Sequence, residues 1–360
     1  MKKVCFLIGN LNNSGGTERV TTLIANELSR KKINVCILSL IEGEKPFFDL
    51  DSNIDFYSLY EEKISFARNY ISVIWKIRNF LQDYKIDTLI VVDSISCVFT
   101  VPALFGLKIK HICWEHFNFK VNLGVKYRDI GRRWAAKYCD KIVVLTNSDK
   151  ELWLEGIKKN NINSKLVTIP NPNPYENTNI DRYSTREKVI VAVGRLTEQK
   201  GFDLLIKAWA KISNHHAEWV LKIIGSGEDK ESLELLAKNE NVDSSVQLIP
   251  ATKNIEIFYK QASIFCLSSR YEGFGMVILE AQAFGLPVVS FECDCGPSDL
   301  IHHGKNGYLV PSEDIDALSK SLSKMISLSK DDYIEYSYNA YLNANKFNVK
   351  NLLNLWLEIV

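Results

Sequence analysis

Short apolar, β-branched runs alternate with helix-patterned stretches along nearly the whole of this chain, and that alternation most restricts its fold. Successive segments of this kind close into parallel sheets covered by helices on both faces. In the first half the expected strands are 4–8, 35–40, 88–92, 111–114 and 141–145, with helices over about 17–31, 63–84, 122–138 and 147–159. In the second half they are 189–193, 220–224, 246–249, 264–267 and 288–290, again separated by helices. Between the halves, Ile169-Pro170-Asn171-Pro172-Asn173-Pro174 continues neither a helix nor a central strand, because proline lacks an N–H and restricts its neighbour. The chain therefore reads as two α/β domains, 1–172 and 185–332, with helices over 333–360. Its 360 residues are enough for two separate cores.

A formal net charge of +1 argues against a dedicated nucleic-acid binder. The charge is unequally shared: residues 1–170 carry 25 Lys and Arg against 18 Asp and Glu, a net of +7, leaving −6 for the rest. The excess concentrates in two expected helices. One holds Lys63, Arg68, Lys76, Arg78 and Lys85 among Phe66, Tyr70, Trp75 and Phe80; the other holds Lys126, Arg128, Arg132, Arg133 and Lys137 beside Trp134. Such helices read either as solvated faces or as surfaces for anionic headgroups or an acceptor's diphosphate. The eight cysteines form no Cys-x-x-Cys pair, which suits a reducing compartment. The apolar part of MKKVCFLIGN is too short for a secretory signal, and the uncharged stretch 94–107 reads as a buried strand-to-helix segment rather than a membrane span. A cytoplasmic location is expected.

Four segments could carry chemistry. In 270–281 a strand is followed by Glu272-Gly273-Phe274-Gly275 and then a helix with Glu280 about one turn inside. Unpaired amides at such a start stabilise a diphosphate, and carboxylates beside it suit the hydroxyls of a ribose and a sugar. In 191–202 a strand runs into Gly194 and Arg195, with Lys200 in the following turn; two cations there neutralise charge on a departing diphosphate. The loop 9–19, with Gly15 and Gly16 at a helix start, matches neither the dinucleotide fingerprint nor the P-loop, yet lets backbone approach an anion or sugar. His116 follows a strand, at the edge where parallel sheets bind ligands. The loop Gly225-Ser226-Gly227-Glu228 reads as facing a nucleotide or as a plain turn.

Metal motifs are unconvincing. Asp49-Leu50-Asp51 lies in a polar loop, Asp314-Ile315-Asp316 at a helix start that favours acids, and Cys293-Asp294-Cys295 with His302 and His303 lacks the spacing of a common zinc site. No metal and no cofactor are expected.

Together the Gly15-Gly16-Thr17 loop, Ile169-Pro170-Asn171, Gly194-Arg195 to Lys200-Gly201, Gly225 to Glu228 and the Glu272 to Glu280 pair resemble the retaining glycosyltransferases of family 4 in order and spacing. The resemblance implies the GT-B architecture, two Rossmann-like domains whose parallel sheets face each other across an interdomain cleft. The N-terminal domain would take the acceptor and the C-terminal domain the nucleotide-sugar, with the final helices returning towards the N-terminal domain. It implies that Arg195 and Lys200 bind the donor diphosphate, Glu280 the ribose, and Glu272 with the amides of Gly273, Phe274 and Gly275 the hexose. His116 would stand beside the transferred sugar and Gly16 near the diphosphate, and Gly15 and Gly194 would also belong to the donor-binding set. Glu115-His116-Phe117-Asn118 and 296–310 are similar to bacterial enzymes that extend polyprenyl-diphosphate-linked glycans or surface polysaccharides. Two departures stand out: Pro250-Ala251-Thr252 where the family often has glycine, and Asp299 where Glu is common.

The implied activity is metal-independent, retaining transfer of a hexose or N-acetylhexosamine from a UDP-sugar to a lipid-linked saccharide, as in O-antigen assembly, at the inner face of the cytoplasmic membrane. A UDP-sugar 2-epimerase would need further acid and base side chains around the sugar. A non-catalytic scaffold would be expected to lose part of the Arg195, Lys200, Glu272 and Glu280 set, all of which are present.

Overall fold

The computed structural model describes residues 2–42, 45–157, 162–175, 178 and 187–360. Two compact units emerge, one made of Met1–Pro174 with Asn348–Val360 and the other of Tyr175–Phe347.

In chain order the first unit contains β1 (Lys3–Ile8), α1 (Gly16–Arg30), β2 (Asn34–Ser39), β3 (Asp55–Ser58), α2 (Tyr70–Asp83), β4 (Thr88–Val92), α3 (Cys97–Ala103), β5 (Lys110–Trp114), α4 (Lys126–Tyr138), β6 (Lys141–Val144), α5 (Asn147–Gly156) and β7 (Leu166–Thr168). The second contains β8 (Val189–Val193), α6 (Phe202–Ala210), β9 (Val220–Ile224), α7 (Lys230–Asn239), β10 (Val246–Ile249), α8 (Glu256–Gln261), β11 (Ile264–Leu267), α9 (Met276–Ala283), β12 (Val288–Phe291), α10 (Pro297–Leu300), β13 (Gly307–Val310), α11 (Ile315–Ile326) and α12 (Lys330–Lys346). The closing helix α13 (Val349–Ile359) belongs to the first unit, where it packs on α1 and sets Trp356 edge-on to Trp114, with ring centroids 4.6 Å apart.

The parallel sheets run in the orders β3-β2-β1-β4-β5-β6-β7 and β10-β9-β8-β11-β12-β13. Burial on both faces explains the near-continuous apolar runs of β1, β4, β8 and β11, whose interiors fill one core in each unit. Strand order reverses between β1 and β4 and between β8 and β11, so the loops leaving these neighbours diverge and open a crevice at their carboxyl ends.

The expected strands all form, but β3, β7 and β13 were not anticipated. β3 is a polar edge strand and β7 has only three residues, so neither shows the apolar run of a central strand. The stretch 94–107 is a short 3₁₀ turn followed by α3, which tolerates Pro102 near its end. The helix expected from 122 starts only at Lys126, because Leu123 and Gly124 adopt left-handed φ of 54° and 72°. That expected from 63 starts at Tyr70, after a turn in which the Asn69 amide donates to Ser65 O. The end of the helix expected over 147–159 lies outside the described residues. The final helical stretch divides: α12 stays with the second unit, and Asn348, whose side chain accepts from the Lys350 amide, starts α13. Among the described residues no helix is long and apolar enough to cross a membrane.

Candidate active site

The strongest convergence of candidate residues is at the reversal point of the second sheet. β8 ends at Val193 and delivers Gly194 and Arg195; β11 ends at Leu267 and delivers Ser268 through Gly275. Lys200 Nζ lies 2.6 Å from Glu272 Oε1, and the same oxygen accepts from Ser269 Oγ at 2.7 Å. Glu272 is buried, so this pair is shielded from solvent and is held by more than charge alone. The stem of Lys200 lies directly over Gly194: a Cβ there would stand 3.1–3.3 Å from Cγ, Cδ and Cε. Gly225 is required for a similar reason, since a Cβ would overlap Gly194 O, so the loops after β8 and β9 touch through backbone.

A second set of contacts fixes these loops. Arg270 donates to both Asp203 oxygens at 2.9 Å and to Glu198 O at 2.7 Å, while Ser268 Oγ donates to Lys200 O and the Gln199 side chain to Tyr271 O. Burial alone would raise Asp203, but the Arg270 fork outweighs it and holds the carboxyl below its ordinary value. Arg270 was not singled out among the site candidates, and its role is structural: it anchors the loop carrying Glu272 to the start of α6.

Gly275 adopts φ 85° and caps α9. Among the described residues the amides of Gly273, Phe274 and Gly275 have no hydrogen-bond partner, so they remain available to an anion. The Phe274 ring itself is buried, 6.0 Å from that of Phe347, leaving its backbone as the group that can face a ligand. Glu280 is buried and accepts from Tyr259 Oη at 3.1 Å. Arg195 is exposed, and its side chain has no partner among the described residues. Asp299 accepts from the Gly296 amide at 3.3 Å, and the Ala251 amide donates to Ser226 Oγ. Thus the two departures from the family pattern have local hydrogen-bonding roles.

In the first unit, Gly15 and Gly16 are exposed at the start of α1, just beyond β1. His116 follows β5, its ring 4.5 Å from that of Trp114. Its Nε2 is buried without a hydrogen-bond partner among the described residues, and burial pushes the imidazole down to about 4 against the opposing pull of Glu115. His116 is therefore neutral at physiological pH and keeps an unused ring nitrogen.

The basic helices need correction. Arg128 and Arg132 of α4 are buried rather than solvated. Arg132 Nε donates to Glu115 Oε2 at 3.0 Å and its other nitrogens to the carbonyls of Asn118, Phe119 and Val121; Arg128 pairs with Asp93 at 2.6 Å. Glu115, in turn, accepts from the His116 and Phe117 amides at 3.1 Å. Although burial would raise Glu115, the two arginines hold it below its ordinary value, whereas burial and Glu115 push Asp93 up to about 6. This network shapes the loop bearing His116. In α2, Lys76 and Arg78 donate to the carbonyls of Leu59, Ala103 and Phe105, which leaves Lys63, Arg68 and Lys85 free to face solvent.

Comparison with known proteins identifies the family of both halves of the chain. The family Glycosyltransferase Family 4 matches residues 14–173, and the family Glycosyl transferases group 1 matches 176–342. An uncharacterized glycosyltransferase of Haemophilus influenzae is 38% identical, covering 100% of both chains. A GalNAc-alpha-(1->4)-GalNAc-alpha-(1->3)-diNAcBac-PP-undecaprenol alpha-1,4-N-acetyl-D-galactosaminyltransferase of Campylobacter jejuni is 27% identical over 100% of this chain and 98% of its own. Among solved structures, HepE of Anabaena in complex with UDP has a TM-score of 0.80 at 16% identity, covering 99% of each chain. Apo lipopolysaccharide outer core galactosyltransferase WaaB reaches 0.76 at 22% identity, covering 99% of this chain and 98% of its own. With a full-length relative at 38% identity and a glycosyltransferase family matching each half, the chain belongs to the glycosyltransferases of the family 4 type, with the GT-B fold.

Proposed function

We propose that the protein transfers a hexose or N-acetylhexosamine, with retention, from a UDP-sugar to a polyprenyl-diphosphate-linked saccharide during assembly of a bacterial surface polysaccharide. The observation that carries this reading is the Lys200–Glu272 pair beside unpaired amides at the start of α9. Cation, carboxylate and oriented N–H groups meet the needs of a sugar diphosphate: the amides and Lys200 take phosphate oxygens, and Glu272 takes sugar hydroxyls. Glu280, already oriented by Tyr259, is assigned the ribose, and exposed Arg195 the diphosphate. Gly15, Gly16 and neutral His116 are assigned to the donor from the first unit.

In this mechanism Arg195, Lys200 and the α9 amides stabilise negative charge as the bond between the anomeric carbon and the phosphate oxygen breaks. The departing diphosphate accepts the acceptor hydroxyl's proton on the same face, so that the chain supplies no separate base and needs no metal. Support for the lipid-linked acceptor comes from the name of the Campylobacter relative and from the exposed surface of the first unit. There Lys126, Arg133 and Lys137 accompany exposed Tyr127 and Ile130, while Lys63, Arg68 and Lys85 accompany Ile71 and Trp75. This composition suits peripheral contact with an anionic membrane.

Incubation with a panel of UDP-sugars and a synthetic polyprenyl-diphosphate saccharide, read by mass spectrometry, tests the reading. A mass increment of one hexose or N-acetylhexosamine is expected, and NMR of the product should show the donor's anomeric configuration. Nucleotide release with no extended lipid-linked product would overturn the acceptor class, and an inverted product would overturn retention.

A further inference from the structure

We propose that Cys97, His111 and Cys139, joined by Cys113, form a binding site for one divalent cation of the zinc type in the core of the first unit. The residues come from three elements: Cys97 begins α3, His111 and Cys113 share one face of β5, and Cys139 caps the end of α4. All four are buried. The ligand atoms of Cys97, His111 and Cys139 lie within 4.8 Å of one another, close enough to meet around a single ion. Cys113 lies beside this group but outside the 4.8 Å set, so it completes a Cys₃His set by a side-chain shift towards the ion.

The imidazole is already oriented for ligation. Thr100 Oγ1 donates to Ser96 O at 3.3 Å, so towards His111 it acts as acceptor; the 3.1 Å contact is then Nε2–H donating to Thr100. That tautomer turns the Nδ1 lone pair towards Cys139 Sγ, 3.4 Å away. A metal-binding histidine characteristically has its second nitrogen fixed in this way. A lone buried cysteine acts as a small apolar residue; two thiols converging on an oriented imidazole, with a third close by, present soft donors of the kind zinc selects. A cavity of about 700 Å³, lined in part by Ile109, His111, Trp134 and Tyr138, adjoins the cluster. Binding releases the thiol protons and ties α3, β5 and the end of α4 together.

The test uses the reduced full-length protein loaded with Co²⁺ or Zn²⁺. About one ion per chain is expected after dialysis, with a sulfur-to-cobalt charge-transfer band and the strong visible bands of tetrahedral Co²⁺. Cys97→Ser and Cys139→Ser should abolish the band, Thr100→Val should weaken binding about 10- to 100-fold, and Cys36→Ser, a buried cysteine outside the cluster, should leave it unchanged. Zn²⁺ should also raise the melting temperature of the unmodified chain relative to chelator. This readout stands even if the variants fail to fold. Natively folded protein that shows no thiolate–cobalt band and melts identically with zinc and with chelator would overturn the proposal, as would equal loss of the band in Cys36→Ser.

Discussion

Lys200 Nζ stands 2.6 Å from Glu272 Oε1, joining the loops that leave β8 and β11, the neighbours between which the order of the second sheet reverses. Without a ligand the two charges satisfy each other. A sugar diphosphate would exchange that partner for phosphate oxygens on Lys200 and sugar hydroxyls on Glu272. The site is thereby kept assembled without leaving a charge buried and unpaired.

Glu280 already accepts from Tyr259 Oη, so its carboxylate is oriented before any ligand arrives. Glu280→Gln should raise the KM for donor about tenfold, the loss of one charged hydrogen bond, with a smaller change in kcat. Steady-state kinetics with varied donor checks this.

Arg132 and Glu115 are both almost fully buried, 3.0 Å apart. Arg132→Met removes the nearest counter-charge of Glu115 and three hydrogen bonds to the carbonyls of the loop 118–121. It should cost about 3–5 kcal/mol in urea unfolding, whereas a change at exposed Arg133 should cost little.

Burial, reinforced by Glu115, pushes the Asp149 carboxyl up to about 7. A raised folded-state value means that stability from this group is fully present below its unfolded value near 3.9 and is lost as pH rises through about 7. Asp149→Asn keeps an oxygen for the Phe119 amide but does not titrate. The melting temperature of the variant should therefore gain on that of the unmodified protein between about pH 4 and 7, and the difference should level off above.

Exposed Trp75 and Ile71 beside Lys63, Arg68 and Lys85 make the surface around α2 the test of membrane contact. Flotation with anionic vesicles should weaken as salt is added and on Lys63→Glu/Arg68→Glu substitution, because exposed charges are screened beyond about 10 Å at 0.1 M salt. Unchanged flotation under both conditions would contradict electrostatic docking.

What could be read from the sequence follows from what burial does to it. Strands covered on both faces, such as β4 and β8, show as unbroken apolar runs, whereas the polar edge strand β3 leaves no such mark. The loops of the second unit were readable because strand, glycine and helix start are contiguous in the chain. Arg128 and Arg132 were read as surface cations because local pattern does not reveal that Asp93 and Glu115, on other elements, meet them inside. The Cys97, His111 and Cys139 cluster was hidden for the same reason, since α3, β5 and α4 bring it together across long separations.

The most direct test measures transfer from the preferred UDP-sugar by Lys200→Ala and Arg195→Ala, with folding checked by circular dichroism. Loss of about 10²- to 10³-fold in kcat for each variant is predicted if these cations stabilise the departing diphosphate. Turnover equal to that of the unmodified enzyme in both variants would contradict the account.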